Sequence, residues 1–285
     1  MIECLLSLHF LPSFTTAATF YTFYHIYAER LIPMPPRVRS SDNKVKKRDE
    51  YRRYLATYSS LSHALLNLMI NEWIYLNEGA HFDYTPNNST HYAMIGFNLG
   101  FYIVDTFFAY VYKYGFFTIN LHHFLAIGIF FYLIYKDIGA NVFSFYQFVA
   151  GISSPFMHIR RNLMMFVGVQ TYLRICRIIF TVAFLSCKVV WLGSTTTTFT
   201  KSELPLVFKA MLASVFYLSL YWGVMVVEMF LENLREDCKR QWVADLHEAI
   251  SSVWKSTARV AILHAVLFVA ALGRIIYYWA HREVF

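Results

Sequence analysis

Charge is what this sequence is short of. Of its 285 residues only 15% are Asp, Glu, Lys or Arg, against 57% hydrophobic and 19% aromatic. A soluble domain needs a larger polar surface than that, so the composition argues against a water-soluble enzyme or scaffold. Cysteine is scarce too. The four, at 4, 176, 187 and 238, form no metal-ligand spacing and sit mostly in or beside apolar segments, so neither a metal centre nor a disulfide framework is expected. Met1 to Leu11 has no basic n-region and contains Glu3, so a cleaved signal peptide is not expected either. There is no internal repeat and no sign of a second domain. The formal charge of +7 lies mostly in short loops and one arm, which fits a positive-inside membrane topology better than a nucleic-acid partner.

What is there is a series of uncharged stretches approaching bilayer length. They predict an all-α, polytopic transmembrane bundle of about 7–8 helices. The first runs near Ser13 to Ile32 and ends at Pro33-Met34-Pro35-Pro36, giving an N-terminal segment 1–36. Residues 37–53 carry eight Lys or Arg and read as a basic cytosolic loop against anionic headgroups. Further helices follow at about Tyr54–Leu76, His91–Tyr112, Phe116–Tyr135, Ile138–Phe156, Val169–Leu192 and Leu204–Phe230. The intervening loop Asn77–Thr90 has no Lys or Arg and holds overlapping sequons at Asn87 and Asn88, so it is expected to be lumenal and to be the glycosylation site. Lys113-Tyr114-Gly115 reads as a tight turn, and Gly193–Glu203, with its threonine run, as a lumenal loop. Residues 231–285 divide into an amphipathic stretch, Glu232–Lys255, and a last crossing, Ala258–Trp279.

Inside these helices a few ionisable residues stand out, because burying them in a bilayer is costly unless they are paired or used. His63, Asp105, His122 and His123 come from three consecutive antiparallel helices. Each lies roughly 9 to 14 Å from the expected cytosolic end at about 1.5 Å per residue. At one depth they fit a pocket in which Asp105 orients an imidazole. The adjacent histidines are about 100° apart around their helix, so one can act while the other packs. A bland reading stands beside this one, in which all four are polar packing residues. Pro155 should interrupt the fifth helix and turn the Ser153 and Ser154 hydroxyls toward the bundle.

These residues carry a resemblance. Tyr58 to Ala64, with Ser60 and His63, resembles the Ser/His element that opens the TLC domain. Tyr102-Ile103-Val104-Asp105 resembles its aspartate element, Asn120-Leu121-His122-His123 its paired histidines, and Gly151 to Arg160 its Ser-Ser/Thr-Pro-Phe-x-Asn-x-Arg segment. The likeness covers about Arg52 to Phe230, with the TLC domain itself at 54–230. It implies a six-helix barrel around a lipid-sized cavity. His122, His123 and Asp105 would then be the catalytic candidates, and His63, Ser60, Ser154, Pro155, His158 and Arg160 would line the lipid pocket. Gly151, His158 and Arg161 depart from the family's usual residues, and the paired-aspartate segment of ceramide synthases is missing. That favours the small TLC-domain proteins linked to membrane lipid composition.

Two functions therefore stay open. One is a lipid-binding, sensing or transport protein that contributes to lipid homeostasis. The other is a ceramide-synthase-like N-acyltransferase that takes acyl-CoA as substrate and needs no resident cofactor or metal. Expected partners are membrane lipids, such as sphingolipids or fatty acyl chains, with a homodimer as candidate assembly. The expected location is the endoplasmic reticulum, with Golgi or plasma membrane as alternatives. A metal-dependent hydroxylase would need more histidines in short-spaced clusters. A transporter would show a symmetric pair of broken helices.

Overall fold

The computed structural model describes residues 6–40, 44–79, 85–112, 117–166 and 169–238, and these are almost wholly helical. A π-helical turn, Leu6–Phe10, leads into α1, Leu11–Leu31. A short α2, Pro36–Arg39, precedes the long α3, Lys44–Glu78. Then come α4, Ser89–Val111, and α5, Phe117–Lys136. The next rod is split into α6, Ala140–Gly151, and α7, Ser154–Leu163. A long rod follows, made of α8, Gln170–Phe184, a π-helical segment, Leu185–Trp191, and α9, Leu192–Lys201. The last described element is α10, Leu206–Cys238.

Four described stretches are long and apolar enough to cross a membrane: Ser89–Val111, Thr118–Lys136, Thr171–Phe199 and Leu206–Glu232. The chain is an all-α membrane bundle. The turn expected at Lys113-Tyr114-Gly115, most of the amphipathic stretch and the crossing expected at Ala258–Trp279 lie outside the described residues.

Helix contacts run in a closed circuit: α3 touches α4, α4 touches α5, and α5 touches α10. The circuit continues from α10 to the long rod, from there to α6 and α7, and back to α3. α1 lies against α4 and α3. Its buried stripe is Ala17, Tyr21, His25 and Ala28, one helical face at spacings of four, four and three. The facing surface of α4 reads Gly96-Phe97-Asn98-Leu99-Gly100. A Cβ on Gly96 would stand 2.5 Å from the Phe10 carbonyl oxygen, and one on Gly100 2.8 Å from that of Phe14. Only glycine allows the two backbones this close, which is how small-xxx-small pairs join membrane helices. Phe10 lies beside Gly96 and His25 beside Asp105, so the two helices run parallel.

At the Asn87 end the circuit is filled by Phe130, Leu133, Phe143, Tyr146, Phe199 and Phe208, all nearly inaccessible. Gly139 adopts φ 84, a left-handed turn that leads into α6, and a Cβ there would press on Phe208 at 3.1 Å.

Four expectations need correction. The basic stretch 37–53 is not a loop: helix begins at Pro36 and again at Lys44, ten residues before Tyr54. Lys, Arg and Glu are good helix formers, Lys46 and Glu50 pair one turn apart, and no Gly or Pro follows Pro36. Gly193–Glu203 is also helical as far as Lys201, because Thr195, Thr196 and Thr198 return their hydroxyls to carbonyls four residues back and Thr197 to one three back. The helix expected over Ile138–Phe156 is broken between Gly151 and Ser154, where Pro155 occupies the first turn of α7. Asn87 is buried, and its amide is consumed: Nδ2 donates to the Leu133 carbonyl at 2.8 Å and Oδ1 accepts from the Ala140 N–H at 3.0 Å. A glycan on Asn87 is incompatible with this packing, whereas Asn88 is exposed.

Candidate functional site

Tyr102 of α4 is the hub of the inner polar cluster. Its ring lies 5.5 Å from His63, 5.9 Å from His122 and 5.2 Å from His123, centre to centre. Three histidines from α3 and α5 thus share one aromatic neighbour. His63 stacks on Phe101 at 3.6 Å, and its Nε2 meets Asn98 Oδ1 at 3.0 Å. An amide oxygen only accepts, so His63 carries its proton on Nε2. Asn98 in turn donates to the Met94 carbonyl, which fixes the amide.

Asp105, buried at 5% exposure, stands between two imidazoles. Its Oδ1 is 3.8 Å from His25 Nε2 and its Oδ2 is 3.7 Å from His123 Nε2. These are ion-pair rather than hydrogen-bond distances. On the far side of the His123 ring, Nδ1 meets Thr106 Oγ1 at 3.1 Å. The Thr106 hydroxyl already donates to the Tyr102 carbonyl at 2.6 Å, so it accepts from His123 Nδ1–H. Neutral His123 therefore turns the lone pair of Nε2 toward Asp105. A proton on either partner converts that contact into attraction, which equips the pair to take up or release one.

The expected site residues fall into two groups. His63, Asp105, His122 and His123 meet around Tyr102, and His122 also leans on Trp222 of α10 at 5.4 Å. His158 and Pro155 are buried at the start of α7, and His158 lies near enough to His63 for their charges to interact. Arg160 is partly buried, with its guanidinium over the Phe180 ring at 5.4 Å and Nη1 on Met229 Sδ. Ser60 and Ser154 are not the inward serines. Ser60 returns its hydroxyl to Ala56 O at 3.0 Å and is partly buried, as is Ser154. Their neighbours Ser59 and Ser153 are the fully enclosed ones, both with a hydroxyl that has no partner. One residue is 100° of helix, enough to exchange inside for outside.

Sequence reasoning missed His25, Tyr102 and Lys188. His25 stacks on Phe108 at 4.5 Å, and its signal was its membership of the α1 stripe. Lys188 was a lone charge inside an apolar run. The two best-formed surface hollows lie elsewhere, one beside Val45 and Arg53 and one beside Thr15 and Phe23. Among the described residues no three His, Cys, Asp or Glu side chains converge for a metal ion.

Comparison with protein-family models, curated proteins and solved structures gives no match. The functional argument rests on the geometry and on the sequence elements.

Proposed function

We propose that this chain is a TLC-type membrane protein that binds and handles a lipid, in the endoplasmic reticulum, with the basic end of α3 in the cytosol. One observation carries the reading. Residues from sequence elements at His63, Asp105 and His122-His123, separated by up to 60 positions, gather around one tyrosine inside a helix circuit. Burying that many polar groups in a bilayer protein is costly, and a bound polar ligand offsets the cost. The ligand's chains would lie along the apolar side chains and its polar part among the histidines. The test is lipid mass spectrometry on purified protein, with capture of a photoactivatable ceramide or fatty-acid analogue. Enrichment of a lipid over bulk membrane, lost on His122→Ala with His123→Ala, supports the reading. Recovery of bulk membrane composition alone overturns it.

A second reading is favoured by the Asp105–His123 contact. In an N-acyl transfer, His123 would take the proton of an attacking amine as its nitrogen bonds the acyl carbon. The C–S bond to coenzyme A would break, and the leaving sulfur would receive a proton. Asp105 would stabilise the imidazolium. Product formation from an acyl-CoA and a sphingoid base, abolished by Asp105→Asn, separates this reading from the first.

A further inference from the structure

On the other side of the histidines, three cations face the bundle without a carboxylate. Lys188 sits in the π-helical segment, a geometry often found at functional positions. Its ammonium touches only ring faces, Phe184 at 5.2 Å and Trp222 at 5.9 Å. It is close enough to His122 and to His158 for its charge to be felt at both rings. Arg161 stands within the same range of His158 and of Arg160. None of Lys188, Arg160 or Arg161 pairs with an acid among the described residues.

Around these cations lie buried polar atoms without partners: Nδ1 of His122, Nδ1 of His158, Nε of Arg160 and Oγ of Ser153. His158 is 8% exposed and Ser153 0%. Each is a hydrogen-bond donor or can become one. A group of cations and donors with no acceptor, inside a membrane bundle, is the complement of an anion.

We propose that Lys188, Arg161, His122 and His158 form a binding site for a phosphate group carried by the protein's ligand. Charge selects the chemistry. Lys188 and Arg161 supply two permanent positive charges, and a phosphate monoester carries about −1.5 to −2 at neutral pH. A carboxylate leaves one cation unbalanced. The three peripheral oxygens of a phosphate also accept from several donors at once, as this spread over α5, α7 and the long rod requires. The phosphate belongs either to a lipid head group or to a soluble ester such as coenzyme A. The first source deepens the lipid-handling reading and rests on it; the phosphate site itself does not.

The experiment uses the full chain in detergent, with binding followed by thermal shift and equilibrium titration. The probes are dihexanoyl phosphatidate, dihexanoyl phosphatidylcholine, inorganic phosphate and coenzyme A. Phosphatidate is expected to bind at least tenfold more tightly than phosphatidylcholine. Lys188→Gln should remove that preference and Lys188→Arg should restore it. Arg161→Gln, at a less enclosed position, is the second variant, and its preference should fall several-fold. Equal binding of the two lipids, or an unchanged preference in Lys188→Gln, overturns the phosphate site while leaving lipid binding in place. Binding of coenzyme A or phosphate but of neither lipid supports the site with a soluble source, and it tells against the lipid-handling reading. Binding of no probe overturns both.

Discussion

Two polar regions of the bundle differ in what their side chains meet. At the Asn87 end, polar groups meet one another. Asn87 clamps α5 to α6, Asn88 and His91 form a reciprocal cap at the start of α4, and Glu78 pairs with both. Tyr92 donates to Asp137 at 2.8 Å. Half a helix length away, His63, His122, His123 and Tyr102 meet mainly rings, and partnerless atoms collect at His25, His122, His158, Ser59 and Ser153. An unpaired buried polar group costs far more than a paired one gains, so a fold keeps such groups where something else satisfies them. The first region holds helices in register. The second is arranged for a ligand.

Breaking the first region should have the largest effect. Asn87→Ala strands the Leu133 carbonyl and the Ala140 N–H, at a cost of about 2–4 kcal/mol. A fall of roughly 5–15 °C in thermal midpoint in detergent is expected. Lipid capture per folded molecule should be unchanged. If capture per folded molecule fell with the midpoint unmoved, the two regions would not divide as argued.

Next comes Asp105→Asn, which keeps shape and removes the charge between His25 and His123. Lost charge-assisted contact is worth on the order of 1.5–3 kcal/mol, or about tenfold or more in ligand-dependent function. The midpoint should stay put, because the wild-type contacts of 3.7 and 3.8 Å are too long to hold helices together. A large loss of stability with full function would return Asp105 to the packing residues. A third change tests how His25 is delivered. Gly96→Ala forces α1 away from α4 and should cost about 1–3 kcal/mol. Function should fall further than the stability loss explains, since His25 rides on α1.

Much of this bundle was legible from apolar run length. α1, α4 and α5 lie within about two residues of their expected limits, because bilayer-length segments and their turn residues are local signals. Pro155 marked the break before α7 for the same reason. The start of α3 was not legible, since a dense basic run reads as a loop until its helix propensity is counted. Neither was the threonine helix, where hydroxyl bonds to preceding carbonyls replace apolar packing. Of the inner cluster, the helix depths brought out His63, Asp105, His122 and His123. His25 escaped because its helix lies outside the circuit and reaches Asp105 only through the glycine contact. Lys188 escaped because a single charge in an apolar run has no partner in sequence to give it meaning.

The smallest effect tests the register of α3. Ser59 and His63 are one turn apart on one face, and Ser59 is fully enclosed with no partner for its hydroxyl. Ser60 points elsewhere and satisfies itself on Ala56 O. Ser60→Ala should therefore change stability by less than about 0.5 kcal/mol and leave capture as it was. Ser59→Ala removes an unsatisfied hydroxyl, so unliganded protein should gain up to about 1 kcal/mol. If the ligand supplies the missing bond, capture should weaken by several-fold in the same variant, moving stability and function in opposite directions. A packing serine gives no such opposition. Parallel behaviour of the two quantities in Ser59→Ala would remove Ser59 from the ligand face.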